Sequence, residues 1–306
     1  MYSVGKFRIG GQLGQSPTWI VATVFYHGDK YLLSPSGEFD KKGLSEKIEE
    51  ALSVVSDYKL VLGIDVVVPS EQAVHSVLSF LGDFKVPLLI EAASPEARAK
   101  SYLAARELGL TEYSIANGIH TDMTAEELEA LRESKLGKAV ALIFDPKDPY
   151  KYIQPENRVK LFEEKILQLA KSAGVDLILA DFVVLDPGSI ALCAEAIRIF
   201  KEKYSYPSGC APANALSTVT KSTVTLDEMY GVHGGSAAYL RLKGADFVMV
   251  GPLSRVKYVA PVLAMIDGLL GYELRRRGVQ LSEEHPIRGL LKKVQKLFTQ
   301  PTLPSV

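Results

Sequence analysis

The chain has 306 residues, 47% hydrophobic and 23% charged, with a formal net charge of −1; this is globular composition with no basic field to attract nucleic acid. Two cysteines, Cys193 and Cys210, are too few for a disulfide framework and too far apart for a zinc knuckle, which fits a reducing, cytoplasmic setting. The start "MYSVGKFRIGG" lacks an apolar signal-peptide core and no uncharged apolar run reaches ~18 residues, so no direct membrane insertion is expected.

Residues 1–17 read as a small hairpin that plugs the N-terminal end of the fold. From there strand-like and helix-like segments alternate to the end of the chain. The strand candidates are 18–26, 59–68, 87–93, 111–119, 138–145, 176–184, 207–214 and 246–253. Most are short, rich in Val, Ile and Leu, and continuous rather than alternating, as strands buried on both faces of a parallel sheet are. The seventh, "PSGCAPAN", is interrupted by Pro and Gly. Between the strands lie helical signals. "SEKIEEALSVVSDY" repeats apolar residues at helical spacing. Pro69-Ser70 and Ser94-Pro95 are start signals. Thr124 and Glu127 form a capping box, and "NRVKLFEEKILQLAKSAG" ends on a Gly stop.

Eight strands, each followed by a helix, predict a single-domain (β/α)8 barrel. A doubly wound sheet is the alternative; no G-x-G-x-x-G turn follows the first strand. The tail, 279–306, carries Ile287, Leu290, Leu291, Val294, Leu297 and Phe298 at helical spacing, a helical extension packed on its own barrel or on another subunit.

In a barrel, chemistry belongs at the C-terminal ends of the strands. Reading those positions gives Glu91, Asn117, His120, Asp145, Asp181, Cys210 and Asn214. The chain has only three asparagines, Asn117, Asn157 and Asn214, among plentiful Lys and Glu. That bias is thermophile-like, and two of the three stand at predicted strand ends. No Ser-His-Asp set converges, no zinc motif is present, and no metal is expected on this chain. Cys210 reads as a small packed residue. "HGGSAAY" (233–239) reads as either an anion-binding helix start or a tight turn. The remaining ring of carboxylates and amides suits a flat, nitrogen-rich heterocycle, whose amine, ring N–H and carbonyl such groups satisfy.

The segments "RIGGQLGQSPTWIVATVFY", "PLLIEAASPEAR", "SIANGI", "FDPKDP", "YPSGCAPANALS" and "DFVMVGPLSRVKYVAPVLAMID" resemble, in order, the family of the H subunits of tetrahydromethanopterin S-methyltransferase. The resemblance covers nearly the whole chain. It implies a (β/α)8 barrel, a homodimer, and methyl transfer between N5 of a reduced pterin and the cobalt of a separate corrinoid protein, within a larger methyltransferase complex. Glu91 matches the family's strand-3 Asp, Asn117 its strand-4 Asn, Asp181 its strand-6 Asp and Asn214 its strand-7 Asn. Asn214 is expected to be the catalytic donor to N5, with Glu91, Asn117, Asp181 and Asp145 binding the substrate. Two positions depart from the pattern: Glu91-Ala92-Ala93 replaces Asp-Ser-Thr, and Asp145 stands where relatives often have Asn. A non-pterin donor such as a quaternary amine, or a non-catalytic docking subunit, are the rival readings. A cytoplasmic location, or one peripheral to a membrane complex, is expected.

Overall fold

The computed structural model describes residues 1–217, 224–292 and 294. A two-stranded antiparallel hairpin, β1 (Tyr2–Val4) and β2 (Phe7–Ile9), precedes eight parallel strands that close into a barrel. These are β3 (Trp19–Val24), β4 (Val61–Val68), β5 (Leu88–Ala92), β6 (Ser114–Ile119), β7 (Lys138–Leu142), β8 (Leu177–Asp181), β9 (Ser208–Cys210) and β10 (Phe247–Pro252). Chain order is spatial order, and β10 pairs with β3 to close the ring. The doubly wound alternative is thereby excluded.

Helices α1 (Lys41–Tyr58), α2 (Val74–Gly82), α3 (Pro95–Glu107) and α4 (Ala125–Ser134) follow β3 to β6. After β7 come α5 (Pro155–Leu161), a π-helical turn at Phe162–Ile166 and α6 (Leu167–Ser172). Then α7 (Ser189–Lys203) follows β8, α8 (Pro212–Leu216) and α9 (Leu226–Leu242) follow β9, and α10 (Val256–Arg276) follows β10. Two of the three start signals are realised as caps; after Pro69-Ser70 the chain makes a turn, and α2 begins only at Val74 with no side-chain cap. Ser94 caps α3 with Pro95 in its first turn, and Thr124 and Glu127 cap each other's backbone at α4. Gly174, at φ +71°, ends the run that "NRVKLFEEKILQLAKSAG" predicts.

The core has two layers. Outward residues of the strands pack under the helices, while a second cluster fills the barrel's interior. The interior positions alternate strictly: Trp19 and Val21, Leu177 and Leu179, Phe247 and Met249 are buried there, two residues apart on their strands. Val4 and Ile9 of the hairpin belong to the same interior cluster and are fully buried, so the hairpin plugs the barrel's N-terminal end as expected. Its turn needs Gly5, at φ +53°, because a Cβ there would overlap the Tyr113 ring.

A buried polar knot holds the last helices to the first strand. The Asp267 carboxylate accepts from the Thr18 amide at 2.7 Å, the Thr18 hydroxyl at 3.0 Å and Arg241 Nε at 2.6 Å. Arg241 also donates to the carbonyls of Ala245 and Ser16. A buried ion pair persists when its remaining donors and acceptors are satisfied in this way.

Two expectations need correction. The seventh strand stops at Cys210, not at 214, because Pro212 has no N–H for the sheet and opens α8 instead. The tail turns through a 3-10 segment at Pro286–Arg288 before helix resumes at Leu290, again because of a proline. Ile287 and Leu291 are buried against the barrel. His285 pins the tail by pairing with the Gly14 carbonyl at 2.8 Å. Leu297 and Phe298 lie outside the described residues.

Candidate active site

The interior alternation carries straight up to the barrel's mouth. Two residues beyond Val21 is Thr23; beyond Gly63, Asp65; beyond Leu89, Glu91; beyond Ile115, Asn117; beyond Leu179, Asp181. Period-two geometry aims all five side chains inward. The apolar interior therefore ends in a polar layer at the C-terminal face, where barrels place their chemistry.

Asp65 is the hub of this layer. Its Oδ1 accepts from Asn117 Nδ2 at 2.7 Å and its Oδ2 from the Thr23 hydroxyl at 3.0 Å. The strand register sets Thr23 beside Asp65. Burial raises the Asp65 pKa to about 7, helped by the Glu91 charge and opposed by the two hydrogen bonds. Asp181, at the tip of β8, is also raised to about 7, first by burial and then by the charge of Asp65; Arg158 partly counters this. Asp181 Oδ1 is buried with no hydrogen-bond partner among the described residues. An orphaned buried acceptor is costly, and this one lies in the polar layer where a ligand would bind.

Glu91 stands near the end of β5, where the strand-end reading expects it, and it has an internal partner. Its Oε1 accepts from Arg98 Nε at 2.8 Å and from the Ala92 amide at 2.9 Å. The same Arg98 holds the buried Glu127 at 2.6 Å and approaches His120 Nε2 at 3.4 Å. Oε2 is turned toward Gly118 on the next strand. One carboxylate oxygen is thus committed to an internal arginine. Burial, ahead of the opposing Arg98 charge, still raises the Glu91 pKa.

The other expected residues separate. Asn117 is in the layer. Asp145 lies three residues past β7 and is tied to Lys165 Nζ at 2.6 Å and the Lys147 amide at 3.1 Å. The Lys165 hydrogen bond holds its pKa below the usual carboxylate value. It anchors the loop after β7 to the π-helical turn and joins none of the other site residues. Asn214 is exposed on α8, and its side chain has no partner among the described residues. Cys210 is buried and free, as its reading as a packed residue requires. The segment 233–239 is neither helix start nor tight turn. It lies inside α9, whose start is the capping box of Thr225 and Glu228.

Thr23, Asp65 and Arg98 are site residues that strand-end reading missed. Asp65 had a signal, as the single charge in "VLGIDVVV".

The whole-chain comparisons agree with this architecture. Residues 1–282 match the family described as "Tetrahydromethanopterin S-methyltransferase MtrH subunit". The chain belongs to this family. The tetrahydromethanopterin S-methyltransferase H subunit of Methanothermobacter thermautotrophicus is 30% identical over 298 residues, covering 93% of this chain and 95% of that protein. The H subunit of the same enzyme from Methanocaldococcus jannaschii is 26% identical over 309 residues, with 93% and 95% covered. Among solved structures, dihydropteroate synthase from Yersinia pestis superposes with a TM-score of 0.57 at 14% identity, covering 87% of this chain and 99% of that one. That likeness speaks for the barrel fold alone. Within the polar layer of this MtrH-family chain stand Asn117 and Asp181. At strand 3 it carries an arginine-bound glutamate.

Proposed function

We propose that this protein transfers a methyl group between N5 of a reduced pterin and the cobalt of a corrinoid carried by a partner protein. The observation that supports this most is the polar layer itself: a closed apolar barrel that ends in Asp65, Asn117 and Asp181, with Asp181 Oδ1 unpaired. Asn117 gives its N–H to Asp65, which leaves its carbonyl oxygen as an acceptor toward the mouth. Asp181, titrating near neutrality, can accept from a ring N–H or donate to a ring carbonyl. These are the complements of a pterin's amine, N–H and carbonyl edge.

In the transfer, cobalt(I) of the partner's corrinoid supplies the electron pair of the new cobalt–carbon bond and becomes formally cobalt(III), while the N–CH3 bond breaks with its pair left on N5. A tertiary amine leaves poorly unless its nitrogen gains a hydrogen bond or proton as charge develops. Asn214, exposed beside the mouth on α8, supplies that hydrogen bond. The polar layer fixes the ring and supplies the proximity effect. The test is methyl transfer from a methyl-tetrahydropterin to cob(I)alamin. Asn214→Ala should lower kcat ~100-fold with ligand affinity retained; an unchanged rate rejects the role.

A second reading, a non-pterin methyl donor, is favoured by one observation: Glu91, at the family's pterin-binding strand-3 position, is half-occupied by Arg98. Calorimetric binding of a methyl-tetrahydropterin decides between the two.

We extend the proposal to a second copy of this chain. The outward faces of α9 and α10 carry exposed Val232, Tyr239, Leu242, Leu269 and Tyr272, an apolar surface that suits a symmetric dimer. No helix among the described residues is long and apolar enough to cross a membrane, which accords with a cytoplasmic or peripheral subunit of a larger complex.

A further inference from the structure

A cavity of about 770 Å³ opens at the N-terminal end of the barrel, opposite the mouth. It lies where the hairpin, the run-in to β3 at 15–17, the last turns of α1, the start of β4, the turn at 84–86 and the tail at 280–284 meet. Its floor is apolar for reasons of local pattern. Leu52 and Val55 stand at helical spacing on α1, Leu60 and Leu62 alternate into β4, and Phe84 and Val86 lead into β5. Val55, Leu60, Leu62 and Val86 are buried, while Leu52 and Phe84 are half-buried.

Around this floor the charge is one-sided. Lys6, Arg8, Lys59 and Lys85 line the cavity, and Glu284 is the single acid among the lining residues. Glu284 is already paired with Lys59, at 3.4 Å. Lys6, Arg8 and Lys85 are exposed, and no carboxylate among the described residues pairs with them. The Lys6 ammonium lies 5.3 Å from the centre of the Phe7 ring at the rim. The whole chain carries a net charge of −1, and the polar layer at the mouth holds the acids Asp65, Glu91 and Asp181. The three unpaired cations are therefore a local excess at the far end. Cations beside an apolar, low-dielectric wall focus their field on whatever enters the cleft.

The form of the site separates its possible occupants. Small-molecule sites converge a few precisely placed polar groups on one point. Here the polar groups are long exposed side chains, spread from the hairpin to the turn before β5 around a continuous apolar centre. That is the anatomy of a protein interface, an apolar core inside a charged rim. The sign of the rim selects an acidic partner. The stretch 295–306 of this chain carries Lys296 and no Asp or Glu, so its charge does not match the rim.

We propose that this groove docks an acidic segment of a partner protein, which seats Leu- or Phe-sized side chains on the floor and sets carboxylates against Lys6, Arg8 and Lys85. The groove and the polar layer lie at opposite ends of the barrel, so docking leaves the mouth open and nothing in it depends on the pterin reading.

The test is selection of peptides from a random display library on the full-length protein, with the triple variant Lys6→Glu/Arg8→Glu/Lys85→Glu as the comparison. All three side chains are exposed, so the variant should keep its Tm. Peptides enriched on wild type should interleave Asp or Glu with Leu, Ile or Phe and should weaken with added salt. By fluorescence anisotropy they should bind the triple variant at least ~10-fold less tightly. Bound peptide should slow amide exchange at 84–86 and in the last turns of α1. Phe84→Ser, with its fold intact by circular dichroism, should weaken the same peptides while the rim charges remain. Failure to enrich any peptide, enrichment of peptides without acids, or acidic peptides that bind wild type and the triple variant equally would each overturn the proposal. Exchange protection confined to the mouth overturns it as well. Dodecanoate bound in the groove, with no peptide enriched, reassigns the site to a small amphiphilic anion.

Discussion

Asn117 donates its amide N–H to Asp65 across 2.7 Å, from β6 to β4, over the intervening strand. This single bond fixes which end of the amide faces the mouth. Asp65 is itself held by the Thr23 hydroxyl, so the acceptor at the hub is preorganised before any ligand arrives. Asp65→Ala removes the partner that orients the amide. Ligand affinity should fall ~10-fold, the scale of a hydrogen bond to a charged group, while kcat on saturating substrate changes less. Calorimetry with a methyl-tetrahydropterin measures the first and steady-state kinetics the second. An unaltered Kd would show that Asp65 does not position Asn117.

Asp65 and Asp181 both titrate near pH 7 in the folded chain. Each binds its proton more tightly folded than unfolded. The folded state therefore holds more protons between the ordinary carboxylate range and about pH 7. Stability should fall as pH rises through that window and level off above it, by up to ~1.4 kcal/mol per pH unit for each group. Asp181→Asn removes one buried charge and relieves Asp65 of its neighbour. Urea midpoints at pH 5 and pH 8 should converge in the variant, with the gain at pH 8. A wild type more stable at pH 8 than at pH 5 would contradict this assignment.

Arg98 bridges Glu91 and the buried Glu127, whose side chain is 2% exposed. Arg98→Met leaves that charge without its counter-ion and should cost ~3 kcal/mol. Adding Glu127→Gln should recover part of the loss, because the stranded charge is gone. Denaturant unfolding of the two single variants and the double closes the cycle. Strictly additive effects would mean that Arg98 and Glu127 do not act as a pair.

The barrel was legible because its signals are local. Eight apolar runs, the Thr124–Glu127 capping box and the helix stop at Gly174 each report on a few neighbouring residues. Asn117 and Asp181 were legible for the same reason, as polar residues ending apolar strands. Asp65 was not, because it lies in mid-strand and strands read as continuously apolar carry no parity. Only the interior positions, Val61 and Gly63 below it, show which way its side chain faces. Asn214 was found by type but misplaced, since the proline that converts strand to helix acts two residues earlier. The pairing of Glu91 with Arg98 spans seven residues within one βα turn. Both were visible in "PLLIEAASPEAR", but helical geometry is needed to bring the arginine back over the strand end.

The outward faces of α9 and α10 carry the last prediction. From Tyr258 to Tyr272 the one charged residue is Asp267, and it is buried. On α9 the stretch from Met229 to Leu240 has no Asp, Glu, Lys or Arg, and Val232, Tyr239 and Leu242 are exposed. Large side chains present ~150–250 Å² when free, so these three with Leu269 and Tyr272, each 41–52% exposed, leave on the order of 400 Å² uncovered. Half-buried Tyr258, Met265 and Ile266 extend the patch toward the ~800 Å² per partner of a standard interface. Lys243 and Lys257 lie over the rings of Tyr239 and Tyr258 at the edges of the patch, and the apolar remainder suits a two-fold dimer. Light scattering should find wild type dimeric and Leu269→Lys monomeric, with the variant's fold intact by circular dichroism. A monomeric wild type at tens of micromolar would assign this face to a different partner protein instead of to a second copy.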